Sequence, residues 1–305
     1  MSARERTVFR DIDGILLLDK PAGLSSNQAL QKARHIFRAR KAGHTGSLDP
    51  LATGLLPICF GEATKIASYL LGSKKAYAAE CRLGATTTTD DAEGEIVERR
   101  PVPEIDEATL ESALRTLRGR IAQTAPVYSA LKQGGVPLYK RARRGEEVVA
   151  PTREVDVFRL DVAEHSRDAL KLDVECGSGT YIRSLVRDLG ERLGCGAHLT
   201  SLRRLWVAPF MAPHMFTFAQ IEELATGADP ASLDAIALPL EAGLAVLPQL
   251  KVSTDEALML RQGKRLALPA RSPEALCCAR TMDGRVIALV EIDENGGVRV
   301  RRGFN

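Results

Sequence analysis

VDVFRLDVAEH, residues 155–165, and ALKLDVECG, residues 169–177, are strand-like runs that lie close together across the turn-forming HSRD. Strands joined by so short a turn pair antiparallel, because a parallel partner needs a crossover of about a dozen residues or more. The strand-like runs elsewhere follow one another without a regular helix between them. That order excludes a doubly wound parallel sheet, and the expected class is α+β.

DGILLLDK, residues 13–20, reads as a buried strand, LLPICF as another and KAYAAECRLG as a half-buried one. Ser25 followed by Gln28 fits a capping box, and Leu30, Ala33 and Phe37 fall at helical spacing, which predicts a helix from about Ser26 to Arg40. ATKIASYLL, residues 107–118 and TYIRSLVRDLGERLG predict further helices, the last with Ile182, Leu185, Val186 and Leu189 inward. TTTTDDAEGEIVE reads as a polar loop leading into a short strand. Residues 125–150 mix aromatic, glycine and basic residues without a long core stripe, as a projecting, mobile segment would. Residues 230–248 are rich in proline and alanine. Beyond them, PQLKVSTDEALMLRQGKRLALP and GRVIALVEIDENGGVRVRRGF read as one short helix and several strands. A large domain over 1–247 and a small β-rich one over 248–305 are expected.

With 45% hydrophobic and 27% charged residues the chain matches ordinary globular composition. A net charge of +3 is too mild to demand a polyanionic partner, but basic residues gather at Arg34–Lys41, Lys140–Arg144, Arg203–Arg204 and Arg299–Arg302. Each cluster alone fits a solvated face; together they point to phosphates and salt-dependent binding. The six cysteines form no CxxC pair and no zinc-like spacing with histidine, so reduced structural thiols are expected. The start MSARERTVFRDIDG has no apolar leader core, and no run approaches a membrane span; a cytoplasmic protein is expected.

GHTGSLDPLATG, residues 43–54, surrounds one carboxylate, Asp49, with glycines and a proline. Pro50 pushes Asp49 toward extended backbone, and Gly43, Gly46 and Gly54 allow backbone conformations or close approaches that side chains would forbid, which suits a loop hugging a ligand. Read alone, the stretch equally fits a tight turn in which the aspartate hydrogen-bonds its own backbone.

HTGSLDPLATGLLPICFGEATK, with DKPAGLSS before it and KAYAAECRLG and GSGTYIRSLVRDLG after it, resembles the TruB family of tRNA pseudouridine synthases, in order from about Leu18 to Trp206. The resemblance implies a pseudouridine-synthase fold, with a mixed, mainly antiparallel sheet and flanking helices. It also implies an isomerase converting uridine 55 of the tRNA T-loop to pseudouridine. Asp49 corresponds to the catalytic aspartate, and Arg183 to the cation that keeps it ionised while buried. Tyr77 corresponds to the tyrosine stacked on the flipped uracil, Tyr181 and Leu202 line the base pocket, and His44 helps fill the place the base leaves. Without the resemblance, His44, Tyr77 and Leu202 would read as core residues.

Lys20 and Pro21 correspond to supports of the active-site loop. Lys65 could reach a phosphate or be solvated. Residues 128–144 resemble an RNA-clasping insertion, with Arg141, Arg143 and Arg144 as candidates for the RNA backbone. The C-terminal module resembles a PUA domain by position, size and strand pattern. The T-arm of tRNA is the implied partner, the expected state is a monomer, and no metal or organic cofactor is called for.

The chemistry moves the glycosidic bond from N1 to C5 of uracil without redox change. A carboxylate could attack C6 or C1′, or remove a sugar proton. A dinucleotide site at GSGTYI or GCGAHL lacks the third glycine, and the H-x-E with P-C-x-x-C of a zinc deaminase is absent. A uracil methyltransferase could use a cysteine such as Cys59, but this one sits in an apolar strand. The rival of another class is a non-catalytic tRNA-binding and folding chaperone.

Overall fold

A computed structural model describes residues 8–227, 230–268 and 272–304. The leader-free reading of the N-terminus falls partly on residues 1–7, and the end of the run reaching Pro269 also lies outside the described residues. Among the described residues no helix is long and apolar enough to cross a membrane.

In chain order the first elements are β1 (Gly14–Lys20), α1 (Ser26–Ile36), β2 (Ala42–His44), β3 (Thr53–Phe60), α2 (Ala67–Leu71) and β4 (Lys75–Leu83). The small strands β5 (Ala85–Thr87) and β6 (Ile96–Arg99) follow, then α3 (Glu107–Arg115), β7 (Gly119–Thr124), β8 (Lys132–Gln133), β9 (Val136–Pro137) and α4 (Leu138–Ala142). The hairpin β10 (Thr152–His165) and β11 (Ala169–Cys176) leads to α5 (Ile182–Arg192) and β12 (Ala197–Val207).

Eight strands form one sheet in the order β1-β3-β12-β4-β11-β10-β7, with β2 on β3. Every pairing is antiparallel except β12 with β3, which run parallel where Arg203 meets Thr53 and Arg204 meets Gly54. The sheet is therefore mixed and mainly antiparallel, and the α+β class holds. The two strand-like runs pair as expected, with Leu160 opposite Val174 and Val162 opposite Leu172, and β10 shifts register between Val157 and Arg159 and again between Val162 and Glu164.

Helix α1 carries the expected capping box, with Ser25 and Gln28 exchanging hydrogen bonds. It stops at Ile36, short of Arg40, because Arg38 turns into the left-handed region (φ 51°) and ends the helical ladder. Helix α3 stops at Arg115, before the left-handed Gly119. Of ATKIASYLL only Ala67–Leu71 is α-helical; Gly61–Ile66 form a tighter 3₁₀ turn. Residues 125–150 do carry elements, the β8–β9 hairpin and α4, and Leu138 is fully buried beneath them.

A second, five-stranded sheet begins at Gln249 and is made from the C-terminal residues, with an apolar cluster of its own around Leu250, Leu260 and Val290. Another cluster joins it to the large sheet: Ile15, Leu17, Leu55 and Cys59 pack with Cys278, Val286, Leu289 and Phe304.

Candidate active site

Asp49 lies in the irregular stretch between β2 and β3, and the segment after β1 ties down the backbone on both sides of it. The Ser26 hydroxyl, buried at the start of α1, donates to the Leu48 carbonyl (3.0 Å), and the Leu48 N–H donates to it (2.6 Å). The Gly23 N–H donates to the Pro50 carbonyl (2.8 Å). Lys20 has no exposed surface, and its Nζ donates to the carbonyls of Pro21 (2.8 Å), Leu24 (2.7 Å) and Pro50 (3.5 Å). Lys20 thus cross-links two loops without reaching ion-pair distance of Asp49. Burial lowers its ammonium to about 8, against a raising pull from Asp49.

Arg183, in the first turn of α5, meets Asp49 at 3.0 Å through Nη2 and the buried Asp91 at 3.2 Å through Nη1. Nη1 also donates to the Thr89 carbonyl (2.9 Å) and Nη2 to the Tyr128 carbonyl (3.0 Å), while Nε is buried without a partner. A guanidinium so fully engaged cannot swing away from the carboxylate. The Asp49 side chain keeps 43% of its surface open, so the acid is held from behind and reachable from in front. Burial raises its carboxyl above the ordinary value, Asp91 pushes the same way, and Arg183 and Lys20 pull it down.

Asp91 escaped the sequence reading because TTTTDDAEGE looks like a solvated turn. Its Oδ1 accepts from the Thr89 hydroxyl (2.5 Å) and the Glu93 N–H (3.1 Å), which leaves Oδ2 aimed at Arg183. Asp90 beside it pairs with Arg187 of α5 at 2.9 Å. Nothing local in the sequence marks these acids; their partners stand far along the chain.

Tyr77 on β4 and Leu202 on β12 are both buried in the main core, and the Tyr77 hydroxyl is pushed up by burial and by Asp49, against a lowering pull from Arg204. Tyr181 precedes α5. Its backbone exchanges hydrogen bonds with the buried Gln123 side chain, N–H to Oε1 at 2.8 Å and carbonyl from Nε2 at 3.1 Å. His44 ends β2, and its Nδ1 accepts from the Gly46 N–H at 3.4 Å. Burial, then Arg204, lowers its pKa and favours the neutral imidazole. Asp49, Arg183, Tyr77 and Tyr181 thus share one electrostatic neighbourhood, and His44 adjoins it through Arg204.

Gly46 and Gly54 take positive-φ backbone that side chains disfavour, as their sequence reading allows, and Gly43 does not. Gly54 (φ +94°) lies against the backbone of Arg204, where a Cβ would fall 2.2 Å from the Arg204 carbonyl oxygen. The close approach is to a neighbouring strand and not to a ligand. Gly43 needs no special conformation, and its Cβ would meet only the Thr64 methyl at 3.9 Å. Gly54→Ala is therefore expected to destabilise the fold by more than about 2 kcal/mol in urea denaturation, and Gly43→Ala by less than about 0.5 kcal/mol. Equal effects would show that β3 and β12 can part locally.

The candidate RNA contacts are partly engaged within the protein. Arg141 pairs with Glu146 (2.6 Å) and donates to Gln133 (2.8 Å), Arg144 lies 3.8 Å from Glu146, and Arg143 stacks over Tyr139. Lys65 is not simply solvated: it pairs with Glu62 (2.6 Å) and donates to the Gly303 carbonyl (3.1 Å) of the C-terminal sheet. The six cysteines are buried and none is in a disulfide, and burial pushes the Cys59 thiol up to about 12, as expected for an inert strand residue. Among the described residues no cluster of three or more His, Cys, Asp or Glu is placed to hold a metal ion.

The chain matches the family model described as TruB family pseudouridylate synthase (N terminal domain) over residues 34–182. It matches that of the tRNA pseudouridylate synthase B C-terminal domain over 183–245. It is 56% identical to the tRNA pseudouridine synthase B of Xanthomonas euvesicatoria pv. vesicatoria (strain 85-10), covering 99% of this chain and 97% of that protein. It is 47% identical to the protein of the same name from Stutzerimonas stutzeri (strain A1501), covering 98% of each. Among solved structures, a chain of a Cbf5-Nop10-Gar1 complex superposes with a TM-score of 0.77 at 24% identity, over 96% of this chain and 85% of that one. At that identity the likeness concerns the fold, and it is that of a pseudouridine synthase with a β-rich C-terminal module.

Proposed function

Because the chain belongs to the TruB family of tRNA pseudouridine synthases, isomerases of uridine in tRNA, we propose that its target is uridine 55 of the T-loop and that Asp49 carries the chemistry. The observation that carries this reading is the Asp49–Arg183–Asp91 arrangement. One open-faced carboxylate is paired with an arginine that a second, buried carboxylate keeps in place.

The uridine leaves its stack and lies on Tyr77, with Tyr181 and Leu202 bounding the base and His44 filling the gap left in the loop. Asp49 then meets the nucleoside from the pocket side. Its oxygen acts on the base, on C1′ or on a sugar proton, while Arg183 balances the charge. The bond from C1′ to N1 breaks, the base turns, and the bond from C1′ to C5 forms. Loss of the C5 proton and protonation of N1, both exchanged with water, complete the isomerisation. Lys20 supports the loop that presents Asp49. Arg141, Arg143 and Arg144 meet the RNA backbone, the first and last exchanging Glu146 for phosphate, and the PUA-like residues 248–305 extend the contact along the tRNA. The protein acts as a monomer in the cytoplasm, where its substrate is.

A T-arm stem-loop tritiated at uracil C5 tests the assignment. Release of one label per RNA from position 55, and none when that position is cytidine, is the expected outcome. Binding without release would favour the chaperone reading, and release from another position would move the target.

A further inference from the structure

Arg204, near the end of β12, has the largest fully buried side chain among the described residues, with 1% of its surface exposed and no carboxylate within ion-pair distance. A buried, unpaired charge is costly and persists only where its surroundings are built around it. Here they are. Nε donates to the Leu55 carbonyl at 2.7 Å, and Nη2 lies 3.3 Å from the Gly46 carbonyl. The Arg204 backbone pairs with Gly54 on one side and stands opposite Tyr77 on the other. Residues opposed on antiparallel strands send their side chains to the same face, so Arg204 and Tyr77 leave the sheet together on one side. A Cβ on Gly46 would sit 3.6 Å from Nη1, so the loop bearing His44 and leading to Asp49 rests on this side chain.

The charge is felt around the pocket. It lowers the pKa of His44, Lys20 and Lys75, in each case along with burial. At Tyr77 it opposes the raising effects of burial, Cys176 and Asp49. Whereas Arg183 is shared between two carboxylates, Arg204 offers its charge to neutral acceptors and to the tyrosine.

Resting on the function proposed above, we propose that Arg204 is a positioning residue for the isomerisation. Its guanidinium fixes the Tyr77 hydroxyl against the Gly46 and Leu55 carbonyls, and so locks the stacking tyrosine to the loop that carries His44 and Asp49. An ammonium at this place has one nitrogen and cannot serve three sites in a fixed plane.

The test is a double-mutant cycle in the full-length protein, with single-turnover rates on tRNA, tRNA affinity and thermal melting. Arg204→Lys is expected to slow the single-turnover step about tenfold or more while tRNA affinity stays within about twofold. In the Tyr77→Phe background the same change is expected to cost less than about threefold, since the hydroxyl it positions is gone. Equal losses in both backgrounds, or an unchanged rate, would overturn the proposal. Carbon-13 NMR of tyrosine labelled at Cζ gives a readout that needs no turnover, with the Tyr77 signal assigned by its loss in Tyr77→Phe. Arg204→Met is expected to raise the pH at which that signal titrates, and an unmoved titration would refute the contact. Should Arg204→Lys or Arg204→Met fail to fold, Tyr77→Phe decides alone: a rate equal to the parent's would show that the hydroxyl needs no positioning. If the parent released no label from uridine 55, the functional reading would fall while the NMR result still stood.

Discussion

Asp49→Asn protein is expected to bind tRNA within about twofold of the parent and to turn it over on the order of a thousandfold more slowly. The amide keeps the volume of the acid, and the ties from Ser26 and Gly23 to the neighbouring backbone are untouched. Arg183 is not stranded by the change, because Asp91 remains 3.2 Å from its Nη1. The fold therefore survives and only the reactive charge is lost. Filter binding and tritium release, measured on the same preparation, separate the two effects. Parallel loss of binding and turnover would mean that Asp49 holds RNA or structure, and full turnover by the amide would remove it from the chemistry.

The second large effect belongs to Arg183→Gln. Asp91, almost wholly buried, would lose its cation, and breaking such a pair on one side costs about 3–5 kcal/mol, to be read in urea denaturation. The rate should also change its dependence on pH. The Asp49 carboxyl already sits above the ordinary carboxylate value, and its ionised form is the active one, so activity is lost as pH falls through the raised value. Removing Arg183 takes away a lowering influence and moves that acid limb to higher pH, whereas Arg183→Lys keeps the charge and moves it less. Single-turnover rates across the acidic range decide the matter. An acid limb identical in parent and Arg183→Gln would show that the pair does not set the ionisation of Asp49.

Local pattern made much of this architecture legible. The β10–β11 hairpin announces itself by two strand-like runs around a short turn, and α5 by the spacing of Ile182, Leu185, Val186 and Leu189, because neither signal needs a distant partner to be read. β12 is different. AHLTSLRRLWV buries His198 and Arg204 among its apolar residues, so the alternation is masked by polar side chains whose partners lie on other strands. Its parallel pairing with β3 has no local signature at all. The site divides in the same way: Asp49 and Arg183 sit in ordered motifs, while Asp91 and Gln123 gain their meaning only when folding brings α5 to them. Arg203 and Arg204, adjacent in a basic cluster, part company in the structure. One pairs with Asp19 at 2.8 Å near the surface and the other lies at 1% exposure, a distinction that only strand geometry draws.

The apolar cluster that joins Ile15, Leu17 and Leu55 to Val286, Leu289 and Phe304 makes the reverse of the large sheet and the flank of the small one a common wall. Lys65 bolts the seam through the Gly303 carbonyl. Swinging the two sheets apart would expose that wall to water, so the packing opposes a hinge at this seam.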